Sequence, residues 1–291
     1  MRRPLALATL GLSLALSAAG FHAPAPARVI EPARAGMTCG VAVTGVSSDN
    51  RLREYIVKDG KVLSAKSSKK LGFRLTGLGY MSSETKDGVN TLRLTGTTTD
   101  GVPRQVTVIR KDTTKVLRVS AIPFAQRNFK PRLFTDAYGY YGYTINHVGV
   151  LQRWTLTRRR SGELFYRDPL TLKRNLKGTV ALTTAAYRAK PAADILFTTT
   201  RNGALRVMSA PHDAPELSSF KTLSADGYRG VTELSSGYCT GGDRGVVVGI
   251  DPVAGTAAWT VVTKLRFPAT AKAHPKGRIR GAANWKLHAV M

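Results

Sequence analysis

The chain has 291 residues, with 44 basic against 18 acidic side chains and a formal net charge of +26. That length suits one large all-β domain or two ordinary domains, and such an excess of cations points to polyanionic partners while saying nothing about fold. Beyond the first residues no segment is apolar for long enough to cross a bilayer, so no transmembrane segment is expected in the remainder.

The N-terminus sets the compartment. Arg2 and Arg3 precede an apolar run from Leu5 to Leu16, and Ser17-Ala18-Ala19 and Ala23-Pro24-Ala25 are small-x-small cleavage sites. This pattern predicts a secretory signal peptide over residues 1–27, followed by a Pro- and Ala-rich linker over 28–38. The alternative is an uncleaved anchor, for which the apolar run is short and wrongly flanked. Residues 39–291 are then an exported, extracellular domain.

Strands are expected along that domain at Gly40 to Val46, Leu71 to Leu75, Gln105 to Ile109, Val116 to Ile122, Asp194 to Thr200, Val246 to Ile250 and Ala258 to Thr263. Each is short, rich in Val, Ile, Thr or aromatics, and mostly bounded by Gly, Pro, Asn or Asp. No 3.6-residue apolar stripe persists over three turns. Hairpin turns are read at Asp49-Asn50, Asp87-Gly88 and Asn202-Gly203, where both residues tolerate positive φ. Looser turns are read from Asn146 to Gly149 and from Asp251 to Gly255.

A phrase recurs at roughly 50-residue intervals, the sign of a repeat architecture. It runs Thr76-Gly77-Leu78-Gly79-Tyr80, Thr135-Asp136-Ala137-Tyr138-Gly139-Tyr140, Thr183-Thr184-Ala185-Ala186-Tyr187, then Thr232-Glu233-Leu234 to Tyr238. A degenerate copy is Gly281-Ala282-Ala283-Asn284-Trp285. The first hairpin lacks a phrase before it, and the last phrase lacks a hairpin after it. If the C-terminal segment completes the first unit, the chain closes into a ring, and a ring of four-stranded sheets is a β-propeller, here with five blades. An open solenoid or a sandwich would leave the complementary ends unexplained. Cys39 opens the first unit and Cys239 follows Tyr238 in the last, so a Cys39–Cys239 disulfide would staple the closure. Two free thiols are the alternative.

The five units, the Asn202-Gly203-Ala204-Leu205 hairpin and the lead-ins Gly72-Phe73-Arg74 and Gly227-Tyr228-Arg229 resemble the tachylectin-like five-bladed β-propellers. That resemblance implies a lectin that binds N-acetylated amino sugars at equivalent sites, one per blade. The repeats here differ in length, and no identical polar set recurs in all five.

Basic residues precede each phrase: Lys69, Lys70 and Arg74; Lys130 and Arg132; Lys173, Arg174 and Lys177; Lys221 and Arg229; Lys276, Arg278 and Arg280. Equivalent positions of a repeat lie on one face. Lys70, Arg74, Lys130, Arg132, Lys177, Arg229 and Arg278 are therefore candidate contacts to a polyanion; the alternative is a solvated face that keeps the protein soluble. Tyr80, Tyr140, Tyr187, Tyr238 and Trp285 could stack on sugar rings, but the expectation for aromatics that mark repeats is packing between blades. Tyr138, Tyr140, Tyr141 and Tyr143 differ, because strand alternation cannot bury all four on one side. Tyr138, Tyr141 and Tyr143 are thus candidate sugar contacts.

Catalytic signatures are absent, and His147, His212, His274 and His288 share no metal-ligand spacing, so neither cofactor nor metal is expected. His212-Asp213 reads as a surface loop. One pair survives: Asp136 and Glu233 hold the same place in two phrases. Across a central channel they would form the two carboxylates of a glycosidase. The preferred reading is a monomeric, secreted, non-catalytic protein that binds a glycan or a polyanionic cell-envelope polymer, with peripheral association to that envelope. A glycoside hydrolase and a protein-interaction scaffold are the alternatives.

Overall fold

The computed structural model describes residues 39–111, 116–189, 192–240, 243–281 and 283–291, and of 186–189 the backbone only. The signal peptide and linker expected over 1–38, and the side chain of Tyr187, lie outside the described residues. The protein is all β, as its β-branched and aromatic segments favour. Two single 3-10 turns, Pro215–Leu217 and Pro268–Thr270, are the helical segments among the described residues.

The strands follow one another in antiparallel runs. The first holds β1 (Cys39–Ser47), β2 (Arg51–Lys58) and β3 (Lys61–Lys70). The second is β4 (Leu75–Lys86), β5 (Val89–Thr98), β6 (Arg104–Lys111) and β7 (Val116–Pro123). The third is β8 (Leu133–Ala137), β9 (Tyr141–Ile145), β10 (Leu151–Arg158) and β11 (Leu164–Lys173). The fourth is β12 (Thr179–Ala189), β13 (Ala193–Thr200), β14 (Leu205–Pro211) and β15 (Ser219–Ser224). The fifth is β16 (Glu233–Cys239), β17 (Arg244–Asp251), β18 (Thr256–Thr263) and β19 (Lys272–Arg278). Finally β20 (Leu287–His288) pairs with β1 through Val46 and Ser47, so the C-terminus adds the fourth strand to the first run.

The expected separation into independent four-stranded sheets is only partly met. The fourth run stands alone, while the others merge into one 16-stranded sheet. Short pairings do this: β3 with β7, β4 with β8, and β1 with β16. Two glycines permit the last two. A Cβ on Gly79 would lie 2.2 Å from the Asp136 nitrogen, and one on Gly237 would lie 2.1 Å from the Gly40 oxygen. Backbones can meet this closely only where no side chain intervenes.

Five apolar clusters fill the space between runs. One joins Leu52 and Val46 to Leu78, Leu92 and Val106. A second packs Phe124, Phe129 and Phe134 with Tyr166. A third joins Tyr143 and Leu151 to Leu196 and Met208, and a fourth joins Phe197 and Val207 to Val247 and Val262. The fifth returns to the start, packing Val41, Val43 and Tyr55 against Val248, Ile250 and Trp285. Each fully buried aliphatic side chain contributes about 1.5–3 kcal/mol of transfer free energy. The Cys39–Cys239 disulfide, with Cα atoms 3.9 Å apart, ties the same first and fifth runs.

The turns depart from expectation in an informative way. At Asn202-Gly203 and Asp49-Asn50 only the second residue has positive φ, 89° at Gly203 and 59° at Asn50. These are type I turns closed by one left-handed residue, in which Gly203 N–H donates to Thr200 O and Asn50 N–H to Ser47 O. The same turn recurs with Gly101 and Gly149. Asp87-Gly88 does have both residues at positive φ, but it links β4 to β5, a different step of the run. The stretch from Leu71 is not a strand until Leu75. It is the connection into β4, held by Leu71 N–H donating to Asn50 O at 2.8 Å.

Candidate functional site

That last bond repeats. In three further places an apolar residue of the connection after a run donates its N–H to the left-handed turn residue: Phe129 to Gly101 at 2.9 Å, Leu176 to Gly149 at 2.8 Å, and Tyr228 to Gly203 at 3.0 Å. All three apolar residues are buried. The residue immediately after each is a cation, Lys130, Lys177 and Arg229, and all three are exposed. They lie against the turn glycines. A Cβ on Gly101 would meet Lys130 Cε at 2.8 Å, one on Gly149 the Lys177 nitrogen at 2.4 Å, and one on Gly203 the Arg229 nitrogen at 2.8 Å. Three of the expected contact residues therefore share one geometry. Lys70, Arg74 and Arg278 are exposed but sit at other steps of the repeat, on β3, before β4 and at the end of β19.

A cleft of about 460 Å³ opens on the β13–β14 turn between two of these connections. Leu176, Thr179, Thr200 and Ala204 are its buried residues; Asn175, Arg201, Asn202, Arg206 and Thr222 supply polar groups. Lys177 and Arg229 flank it. Arg132 is half-buried rather than free: its Nη1 donates to Thr179 O at 2.5 Å and its Nη2 to Leu176 O at 3.1 Å. Burial, and then repulsion from Arg201, hold the Arg132 guanidinium below the usual arginine range. Arg201, Arg206, Asn175 and Thr222 carry no recurrent spacing, and Asn202 was legible only as a turn residue.

The tyrosine cluster divides. Tyr138 and Gly139 form a two-residue turn with φ of 59° and 71°, buttressed by Tyr138 Oη donating to Ala185 O at 2.9 Å. Tyr140 is 40% exposed. Tyr141 and Tyr143 share one side of β9, and Tyr143 is fully buried, which removes it as a sugar contact. Its Oη donates to Asp194 Oδ2 at 2.7 Å. Burial, then the Asp194 charge, push the Tyr143 hydroxyl well above the usual tyrosine range. His212, expected at the surface, brings Nε2 to 3.1 Å from Asp194 Oδ1. Arg153 lies 4.5 Å over the Tyr141 ring and donates to the Pro211 and His212 carbonyls. Tyr141 is thus covered on one face.

The two carboxylates are not an opposed pair. Asp136 is fully buried, where its Oδ2 accepts from Tyr166 Oη at 2.6 Å and Thr95 Oγ1 at 3.1 Å, and its Oδ1 from Gly139 N–H at 2.8 Å. Tyr166 reaches it by crossing Gly142, where a Cβ would lie 2.7 Å from the ring. Glu233 instead accepts from Val290 N–H at 3.0 Å, in the closing C-terminal segment. Burial raises both, each to about 7. The leading strands also touch: Thr184 Oγ1 donates to Asp136 O at 2.8 Å and Ser236 Oγ to Thr184 O at 2.5 Å. The two acids have separate sets of partners, Tyr166, Thr95 and Gly139 for Asp136 and Val290 for Glu233. Among the described residues no group of three His, Cys, Asp or Glu is placed to hold a metal, and no helix is long and apolar enough to cross a membrane.

No family model matches this chain, and no curated protein matches it. Among solved structures it is similar to the SapL1 lectin in complex with alpha methyl fucoside, at TM-score 0.43 and 12% identity, over 85% of this chain and 83% of that one. It is also similar to CoXyl43, a GH43 beta-xylosidase/alpha-arabinofuranosidase from a compost microbial metagenome, at TM-score 0.37 and 8% identity, over 84% and 94%. A third is the Trypanosoma rangeli sialidase, at TM-score 0.43 and 9% identity, over 84% of this chain and 49% of that one. Such likeness concerns chain path and brings no residue or ligand to this protein.

Proposed function

We propose that this chain is an exported five-bladed β-propeller that binds an anionic glycan or cell-envelope polymer as a monomer and catalyses nothing. The leader spans 1–27, the linker 28–38 and the propeller 39–291. Apolar clusters shared by each run with the next, and by the fifth with the first, support a closed ring, as does the disulfide between those end runs. A ring of four-stranded units also accounts for β20, which pairs with β1 and gives the first run its fourth strand.

The observation that carries the binding reading is the repetition of Lys130, Lys177 and Arg229 in one geometry at the turn end of successive runs. Cations that recur with the fold present their charge on one face at the spacing of the repeat. A polymer carrying regularly spaced anions meets several at once, which multiplies weak contacts. The glycosidase alternative is not favoured, because Asp136 and Glu233 are each engaged by other partners.

The test is binding of the full chain to a carboxylated polysaccharide at two salt concentrations, beside a panel of neutral glycans. Affinity should fall steeply with salt. The triple variant Lys130→Gln, Lys177→Gln, Arg229→Gln should bind more weakly and with a shallower salt dependence. Retention of wild-type affinity and salt dependence by the triple variant would end the proposal.

A further inference from the structure

We infer that the cleft on the β13–β14 turn is a pocket for one acidic sugar unit, with its carboxylate held by Arg201 and Arg206. This rests on the polyanion reading above and narrows it from a face to a single site. Its volume, about 460 Å³, falls within the range of small-ligand sites. Arg201 and Arg206 line it and no Asp or Glu does, so the lining offers these cations no counter-ion. Arg206 is half-buried, and its Nε–H is buried without an acceptor. A buried donor left without a partner is costly, and this one, sealed from solvent, can meet an oxyanion only after a local shift of the Arg206 side chain. Arg132, bonded to the carbonyls of Leu176 and Thr179 beside the cleft, adds a third positive charge.

The rest of the lining selects a sugar over a bare anion. Asn175, Asn202 and Thr222 each offer both donor and acceptor atoms, the pattern that sugar hydroxyls need. Leu176 and Ala204 provide apolar surface for ring C–H groups. No aromatic ring lines the cleft, so the sugar is held by charge and hydrogen bonds rather than by stacking. Arg presents a planar fork that matches a carboxylate bidentately.

Calorimetric titration of the full chain with a uronic acid trisaccharide, its methyl ester and inorganic sulfate, all at one ionic strength, tests the site. One saturable site per chain is expected, with the ester and sulfate weaker by about tenfold or more. Arg201→Gln and Arg206→Gln should each weaken trisaccharide binding by about tenfold or more, while Lys86→Gln leaves it unchanged. Arg201 is exposed, so its variant carries the test if the Arg206 variant melts early. Equal binding of acid and ester, sulfate as tight as the trisaccharide, or wild-type binding by Arg201→Gln would overturn the inference. Salt-sensitive polymer binding that survives both substitutions overturns the pocket and leaves the basic face standing. Trisaccharide binding without polymer binding overturns the face and leaves the pocket.

Discussion

At the scale of single residues, burial decides what the charges and phenols do. Asp136 shares its place in the repeat phrase with Gly77, Thr184 and Glu233, and nothing in that pattern says which way it faces. Its neighbours do, because Tyr166 comes from β11 and Thr95 from β5. The raised carboxyl fixes the sign of a pH effect. A native pKa of about 7, above the ordinary 3.8, means the fold holds the protonated form. Stability from this group is full below the unfolded value and is lost as pH rises from about 4 through about 7. The loss is on the order of 4 kcal/mol for Asp136 by linkage. Glu233 acts in the same window and direction. Asp136→Asn should therefore reduce the decline in melting temperature between pH 4 and 7.5, and adding Glu233→Gln should flatten it. An unchanged slope in the double variant would show that neither acid is protonated in the fold. The Tyr143–Asp194–His212 contact was invisible in the sequence because its members lie in different strands and loops with no common spacing.

At the scale of elements, the recurring unit is the turn clasp rather than the threonine–aromatic phrase. Ser47 Oγ donates to Arg51 O and Thr98 Oγ1 to Val102 O. In the same places Val150 N–H donates to Asn146 Oδ1 and Ala204 N–H to Thr200 Oγ1. Different side chains do one job, closing a turn across four residues, so residue identity hides the repeat. The left-handed residue and its carbonyl are the constant parts. Thr200→Val should cost about 1 kcal/mol through loss of the turn bond, read as a lower denaturant midpoint. The glycines of close approach are stricter. Gly79→Ala puts a methyl on the Asp136 backbone and should destabilise by about 3 kcal/mol or more, whereas Gly88→Ala, open around its Cα, meets only its backbone preference. Equal melting temperatures for the two variants would contradict the close pairing of β4 with β8.

At the scale of the whole molecule, the first and fifth runs are joined by residues far apart in the chain. The Cys39–Cys239 bond spans a sequence separation of 200, which by loop entropy is worth about 5 kcal/mol, and engineered examples deliver less. The variant Cys39→Ser, Cys239→Ser should melt well below the parent, and reduction of the parent should move it toward the variant. A parent insensitive to reductant, with the bond verified as broken, would mean that the fifth apolar cluster holds the first and fifth runs together unaided. The buried Arg110–Glu54 pair, 2.8 Å apart, also links the first and second runs, with its attraction offset by the desolvation of both charges.

Alternation and turn residues are local, and local physics alone determined the all-β class, most of the expected strands and the approximate repeat, while the pairing of Cys39 with Cys239, 200 residues apart, was one of two readings until the structure brought them together. Complementary chain ends pointed to closure for the same reason, since an unpaired strand edge needs a partner. Only the tertiary structure decided which polar groups meet. Tyr143 became core, Asp136 and Glu233 went to separate sets of partners, and Arg201 and Arg206 came to line one cleft with Asn175 and Thr222. Such meetings depend on how neighbouring runs pack, and that packing leaves no spacing in the sequence to read.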